Sequence, residues 1–131
     1  MIHLDTSVLV DALTGPRRSA AALRRAIESG ERVTFSTIVL YEWLRGPRRH
    51  AEREDQETLF PRQTAVPFGW QEAALAADLY PKVKKPRGRE MDLALAACAL
   101  AHGAALWTLN SADFADIPGL TLYQPEPRTP R

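Results

Sequence analysis

The stretch GREMDLALAACALAHG, from Gly88 to Gly103, predicts one apolar helix between two glycines, with the carboxylate of Asp92 just inside its start. A helix this rich in alanine and leucine is expected to be buried. An acidic residue in its first turn can simply satisfy free backbone N–H groups and interact favourably with the helix dipole. It can also belong to a group of carboxylates that hold a metal ion, so the positions of the other acids matter.

Segments on both sides of this helix alternate between strand and helix patterns. Short apolar segments predict strands at residues 2–4, 32–39 and 104–110, with weaker candidates at 64–68 and 120–124. Apolar spacing and glycine or proline stops predict further helices at 6–14, 19–29, 40–45, 48–60 and 71–80. Ser19 is expected to cap the second of them. This alternation predicts an α/β domain with three layers, α/β/α, around a central, mainly parallel sheet.

Length and composition indicate one globular domain. The chain has 131 residues, of which 45% are apolar and 25% charged, in the usual proportions of a globular protein. Its one cysteine, Cys98, cannot form an internal disulfide, which favours a cytoplasmic setting. No apolar run reaches the roughly 18 residues of a membrane span, so no membrane is expected as a partner. We expect a folded domain over residues 1–124 and a proline-rich, disordered tail over 125–131.

Positive charge is concentrated although the net charge is only +1. Two basic clusters stand out. One lies between Asp78 and Glu90, in a stretch without acids, and the other lies at the end of the predicted helix at 40–45 and just after it. Such clusters are either solvated surface or contacts for a nucleic-acid backbone, and the sequence alone leaves both open. The residues are Lys82, Lys84, Lys85, Arg87 and Arg89 in the first cluster and Arg45, Arg48 and Arg49 in the second.

Four acids fall at the same edge of the predicted sheet. Asp5 ends the first strand, Glu42 lies in the helix after the second, Asp113 follows the strand at 104–110, and Asp92 begins the apolar helix. Each alone is explained as a cap, turn or surface acid. Together they would repel by roughly 4 kcal/mol per pair at about 4 Å and an effective dielectric near 20. A cation would offset this repulsion, and all-oxygen ligands suit Mg²⁺ or Mn²⁺.

Four short motifs carry a resemblance to a known family. LDTS at 4–7, YEWLRG at 41–46, MDLALAACA at 91–99 and NSADF at 110–114 resemble, in this order, the acidic motifs of PIN-domain ribonucleases, especially VapC-type toxins of toxin–antitoxin pairs. The resemblance covers nearly the whole chain. It implies a PIN-like fold and a Mg²⁺- or Mn²⁺-dependent endoribonuclease that cleaves RNA. Its implied catalytic acids are Asp5, Glu42, Asp92 and Asp113.

The resemblance also implies roles for residues around these acids. Asp5 and Asp92 would be direct metal ligands, with Thr6, Ser7 and Asn110 supporting the site. Leu109 departs from the pattern, because such toxins often have a basic residue there. Asp11 and Asp116 match no catalytic position and are interpreted as solvated or capping acids. We further expect the basic loop to contact RNA through Lys84, Lys85, Arg87 and Arg89.

The family also predicts partners. A homodimer is expected, together with a small VapB-type antitoxin whose C-terminal segment occludes the acidic site. Two alternatives stay open: a PIN-like nuclease that acts on DNA or on housekeeping RNA precursors, and a catalytically silent nucleic-acid-binding module. The tryptophans are expected in the core or at an interface rather than in base stacking, namely Trp43, Trp70 and Trp107.

Overall fold

The computed structural model describes residues 1–125, so the predicted disordered tail at 125–131 lies, except for Pro125, outside the described residues. Strands and helices alternate as expected. The strands are β1 Ile2–Leu4, β2 Val33–Thr34 and β3 Ala105–Trp107. The α-helices are α1 Thr6–Leu13, α2 Ala20–Glu28, α3 Thr37–Arg45, α4 His50–Leu59, α5 Trp70–Leu79 and α6 Glu90–Ala101. Short 3₁₀ turns occupy Arg62–Thr64, Tyr80–Lys82 and Ser111–Asp113.

The sheet is parallel, with β1 in the middle and β2 and β3 on either side. In this register Ile2 lies opposite Val33 in one neighbour and opposite Ala105 in the other. The two weaker strand candidates each contribute a single parallel bridge, Ser36 to Val66 and Leu106 to Leu122. The three-layer α/β/α prediction is confirmed. Within residues 1–125, no helix is long and apolar enough to cross a membrane.

Helix α6 forms the centre of the core, as its composition predicts. Every residue from Leu93 to Ala99 is buried, so this helix is covered on all sides. Trp43 and Trp107 are also buried, in agreement with a core role. Trp70 is 79% exposed at the start of α5, so it lies outside the core, and its place at an interface stays a prediction.

Two local predictions near α2 and α3 are wrong for identifiable reasons. The second strand ends at Thr34 rather than 39, because Ser36 accepts a hydrogen bond from the backbone N–H of Val39 and begins α3. Ser19 precedes α2 but makes no side-chain cap. Its hydroxyl instead donates to Asp11 Oδ2 at 2.6 Å. Asp11 is therefore bound to a neighbouring segment rather than solvated or capping a helix.

Candidate active site

Asp5 lies where β1 ends and α1 begins, and its side chain is almost fully buried. Its Oδ1 accepts from the backbone N–H of Thr6 at 2.8 Å. Its Oδ2 accepts from Ser7 Oγ at 2.7 Å and from Thr108 Oγ1 at 2.6 Å. Three donors therefore fix the position of this carboxylate and satisfy oxygens that are almost fully shielded from water.

Glu42 is joined to the same turn by Thr6. The Thr6 hydroxyl donates to Glu42 Oε1 at 2.7 Å across 36 residues of sequence. Arg45, one turn later in α3, brings a guanidinium nitrogen to 3.9 Å from Glu42 Oε2. Thr6 and Ser7, the two predicted supporting residues of the first motif, thus each orient one acid.

Asp92 is half-buried in the first turn of α6 and lies close enough to the other three acids to feel their charge. Burial, followed by repulsion from Asp5, Asp113 and Glu42, raises the pKa of its carboxyl to about 6. Among residues 1–125, no hydrogen bond stabilises this carboxylate. The helix begins at Glu90 after Arg89, with no side-chain cap. A capping role for Asp92 therefore has no support in the described contacts.

Asn110 precedes the 3₁₀ turn that follows β3, and Asp113 is the last residue of that turn. The backbone N–H of Asp113 donates to the carbonyl of Asn110 at 2.9 Å, and both side chains are exposed. Asn110 is itself held by its backbone N–H, which donates to Thr108 Oγ1 at 3.0 Å. Thr108 therefore links this turn to Asp5.

Thr108 is a site residue that the sequence reasoning missed. Its hydroxyl donates to Asp5 and accepts from Asn110, and its side chain is buried. A signal was present, because a hydroxyl residue directly after a buried parallel strand falls at the same sheet edge as the acids.

Arg89 and Asp116 pair with each other, which changes two expectations. Asp116 was expected to be solvated or capping, but it accepts from Arg89 Nη2 at 2.6 Å and Nη1 at 3.0 Å. These bonds hold the pKa of Asp116 well below its usual range and raise the pKa of Arg89. Arg89 is expected from the sequence to contact RNA, but its guanidinium donates to groups within the protein. Lys84, Lys85 and Arg87 are exposed in the same loop.

The donor set suits a hard divalent cation. Asp5 and Asp92 could supply carboxylate oxygens, and Mg²⁺ typically takes one or two carboxylates directly and keeps several waters. Over the described range 1–125, no three histidine, cysteine, aspartate or glutamate side chains are grouped closely enough to hold a metal ion. This arrangement is compatible with two acids that bind an ion directly and further acids that bind its waters. Among residues 1–125 it does not offer three or more direct ligands.

Comparison with known families identifies the fold. The model of the PIN domain matches residues 2–120, which is nearly the whole described chain. The chain belongs to the PIN domain family. The resemblance seen in the four acidic motifs is therefore confirmed at the level of the family. No curated protein sequence matches the chain significantly.

Solved structures similar to this PIN domain share its fold. A chain of VapBC from Salmonella typhimurium, bound to DNA, superposes with a TM-score of 0.74 at 19% identity, covering 93% of this chain and 96% of that one. A chain of VapBC2 from Rickettsia felis, bound to a promoter fragment, gives 0.71 at 21% identity, covering 94% and 98%. FitAcB from Neisseria gonorrhoeae gives 0.71 at 21%, covering 95% and 98%.

The raised pKa of Asp92 predicts how the stability of this PIN domain depends on pH without metal. Because the folded pKa of about 6 exceeds the ordinary 3.8, the folded state binds the proton more tightly. The resulting stabilisation is complete below about pH 4 and is lost as pH rises through 6. In chelator, Asp92→Asn should therefore gain stability relative to the parent as pH rises from 4 to 7. Denaturant unfolding at several pH values measures this difference, and a constant difference would contradict it.

Proposed function

We propose that this PIN domain is a metal-dependent endoribonuclease and the toxin of a VapBC-type toxin–antitoxin pair. The observation that supports the proposal is a set of hydrogen bonds around Asp5: Thr6 links its turn to Glu42, and Thr108 links it to the turn with Asp113. The charges of these three acids also act on Asp92 and help to raise the pKa of its carboxyl to about 6. PIN domains are generally nucleases, and a nuclease that depends on Mg²⁺ or Mn²⁺ needs oxygen ligands such as these carboxylates for its ion. The toxin assignment is further supported by similar chains that occur in VapBC and FitAB complexes.

The proposed reaction is hydrolysis of an RNA phosphodiester, with Mg²⁺ or Mn²⁺ as the cofactor. Asp5 and Asp92 would hold the ion, which when bound lowers the pKa of water and offsets charge on the phosphate. The hydroxyls of Ser7 and Thr108 both donate to Asp5 Oδ2 and fix its carboxylate. Glu42 and Asp113 would accept hydrogen bonds from waters at the outer side of the site, and Thr6 orients Glu42 for this.

The basic loop before α6 is the proposed RNA-binding surface. Lys84, Lys85 and Arg87 are exposed and precede the helix that carries Asp92. Their positive charge would offset the phosphate backbone next to an acidic site that would otherwise repel it. Arg89 supports this loop from inside, because its donors are used within the protein.

Reversing the charge at Lys84, Lys85 and Arg87 should weaken RNA binding and flatten its dependence on salt. Each lost phosphate contact lowers the slope of log affinity against log salt by roughly one unit or slightly less. Titrating RNA binding at several salt concentrations measures the slope. The control variant reverses the charge of two other exposed arginines, Arg18 just before α2 and Arg24 within it. Helix α2 carries none of the four acids. If the variant at Lys84, Lys85 and Arg87 and the control variant both keep the parental salt dependence of RNA affinity, the loop is only solvated surface.

The proposed partners are a VapB-type antitoxin, which would cover the acidic site, and a second copy of the chain in a cytoplasmic homodimer. Support for the antitoxin comes from the similar chains, whose solved structures are toxin–antitoxin complexes. Sedimentation of the purified protein tests the dimer.

Mapping RNA ends after brief expression tests the proposed reaction directly. New ends should appear at a small set of sites and should depend on Mg²⁺ or Mn²⁺ when the purified protein is used. Cleavage of DNA but not RNA would favour a DNA-directed PIN nuclease. Tight RNA binding without any cleavage in either metal would indicate a silent binding module.

A further inference from the structure

Arg89 lies directly before α6 and uses four hydrogen bonds to connect two loops. Its Nη1 and Nη2 donate to the two carboxylate oxygens of Asp116 at 3.0 and 2.6 Å. Nη2 also donates to the carbonyl of Asp113 at 2.9 Å, and Nη1 to the carbonyl of Lys84 at 2.7 Å. Paired Arg–carboxylate bonds of this kind fix both distance and angle.

Asp116 completes the connection from the other side. Its Oδ2 accepts from the backbone N–H of Lys84 at 2.9 Å, in addition to the bonds from Arg89. Lys84 belongs to the exposed basic loop, which turns at Lys85 through a left-handed backbone with φ of 48°. A non-glycine residue with positive φ needs surrounding contacts to hold it, and these bonds supply them on one side of the turn.

The contacts join three parts of the proposed site. They hold the loop with Lys84 and Lys85, the start of the helix that carries Asp92, and the backbone of Asp113. Asp92 follows Arg89 by three residues and Asp113 precedes Asp116 by three. A movement of Arg89 relative to Asp116 is therefore expected to change the distance between Asp92 and Asp113.

We propose that Arg89 and Asp116 are positioning residues that hold the RNA-binding loop and Asp113 in a fixed arrangement with Asp92. The inference rests on the proposed nuclease function and deepens it, because it states how the basic loop and the acidic site are kept together. Neither residue touches the substrate in this role. Both act through Lys84 and Asp113.

Two simpler roles make different predictions. An exposed ion pair contributes about 0–1 kcal/mol to stability and has no effect on a distant site. This pair is partly buried, with the Arg89 side chain 20% exposed, and it binds backbone groups of the site itself. A direct contact between Arg89 and RNA would instead need the guanidinium to leave Asp116, and removing Asp116 would then leave cleavage intact or improve RNA binding.

The test uses Arg89→Gln, Asp116→Asn and the double variant, with Glu57→Gln as the matched control. Glu57 forms a similarly short ion pair with Arg62, at 2.6 Å, on a segment without any of the four acids. Both single variants should lose about 10- to 100-fold in cleavage rate at saturating RNA, as is typical when residues that orient a metal site are removed. The double variant should lose no more than the stronger single variant, because both changes break the same contact.

Hydrogen–deuterium exchange supplies a readout that does not depend on activity. The amides of Lys84 and of residues 111–116 should exchange faster in both single variants and at the parental rate in the control. Normal cleavage and exchange in Asp116→Asn would overturn the proposal. Loss of RNA affinity in Arg89→Gln alone would overturn it in favour of a direct RNA contact. If the parent protein cleaves no RNA, the proposed function fails, and the exchange data still decide whether the pair holds the two loops together.

Discussion

Expression of this protein without a partner should stop the growth of a bacterial host, and the substitution Asp92→Asn should restore growth. The expectation follows from the proposed toxin function, because free enzyme would cleave cellular RNA as long as its acidic site is intact. Growth curves and viable counts after induction measure the effect. Equal amounts of soluble parent and variant must be shown, since an insoluble variant would also appear harmless.

The control for growth removes a different acid. Asp55 pairs with Arg17 at 3.0 Å on α4, which carries none of the four site acids, so Asp55→Asn should remain toxic. Co-expression of a cognate antitoxin should restore growth with the parent protein. Unimpaired growth at high levels of soluble parent protein would count against a toxin and would leave a housekeeping nuclease as the better interpretation.

The parallel sheet explains why three of the four acids, Asp5, Asp92 and Asp113, could be expected near one another from the sequence. Strands that run in the same direction end at one edge, so Asp5 after β1 and Asp113 beyond β3 had to be neighbours once the alternation of strands and helices was recognised. Asp92 was predictable for a related reason, since an apolar helix that returns to the sheet begins at that edge. These predictions needed only the order of elements, not their exact limits.

The contacts among side chains could not be predicted in the same way. The Arg89–Asp116 pair spans 27 residues and depends on two loops, one with a left-handed turn at Lys85. Apolar pattern and helix propensity carry no information on which polar groups meet across such loops. The same holds for Ser19, whose hydroxyl has Asp11 as an alternative partner to the helix N-terminus.

Strand length was misjudged for a different reason. Apolar residues continue from β2 directly into α3, through Phe35 and Val39, both buried. A run of buried residues therefore does not show where the backbone changes from extended to helical. The change is set by Ser36, whose capping bond to Val39 begins the helix. A serine before a helix is a typical N-cap, but the apolar residues on both sides of Ser36 are equally typical of a strand that continues through it.

The structure changes what is expected of the two proposed metal ligands. Asp5 accepts three hydrogen bonds, so Asp5→Asn would leave donors such as Ser7 Oγ and Thr108 Oγ1 with a poorer partner. A loss of about 1–3 kcal/mol in unfolding free energy is expected from such a change in a buried group. Asp5→Asn therefore reports on folding and on metal binding together. Asp92, which has no such bonds in the described chain, separates the two.

Asp92→Asn should keep or raise the stability of the protein in chelator while removing most of its response to metal. The substitution removes a charge that partial burial and the neighbouring acids disfavour, since together they raise the pKa of Asp92 to about 6. The lost attraction to the helix dipole, about 0.3–1 kcal/mol, opposes this but is the smaller effect, since the net pKa shift disfavours the charge. A bound ion stabilises only the state with intact ligands, so the rise in melting temperature with Mg²⁺ or Mn²⁺ should largely disappear.

RNA cleavage by Asp92→Asn should fall by orders of magnitude, because the ion that lowers the pKa of the attacking water is lost or misplaced. The matched control is Glu90→Gln, which removes an exposed acid from the same first turn of α6. This control separates charge at the helix start from charge at the site, and it should keep both the metal-dependent melting shift and the cleavage rate. Melting curves with and without metal, measured beside the cleavage assay, decide between the two roles. If Asp92→Asn keeps the melting shift and the activity, its carboxylate only favours the helix start, and the acidic edge around Asp5 must bind its metal without it.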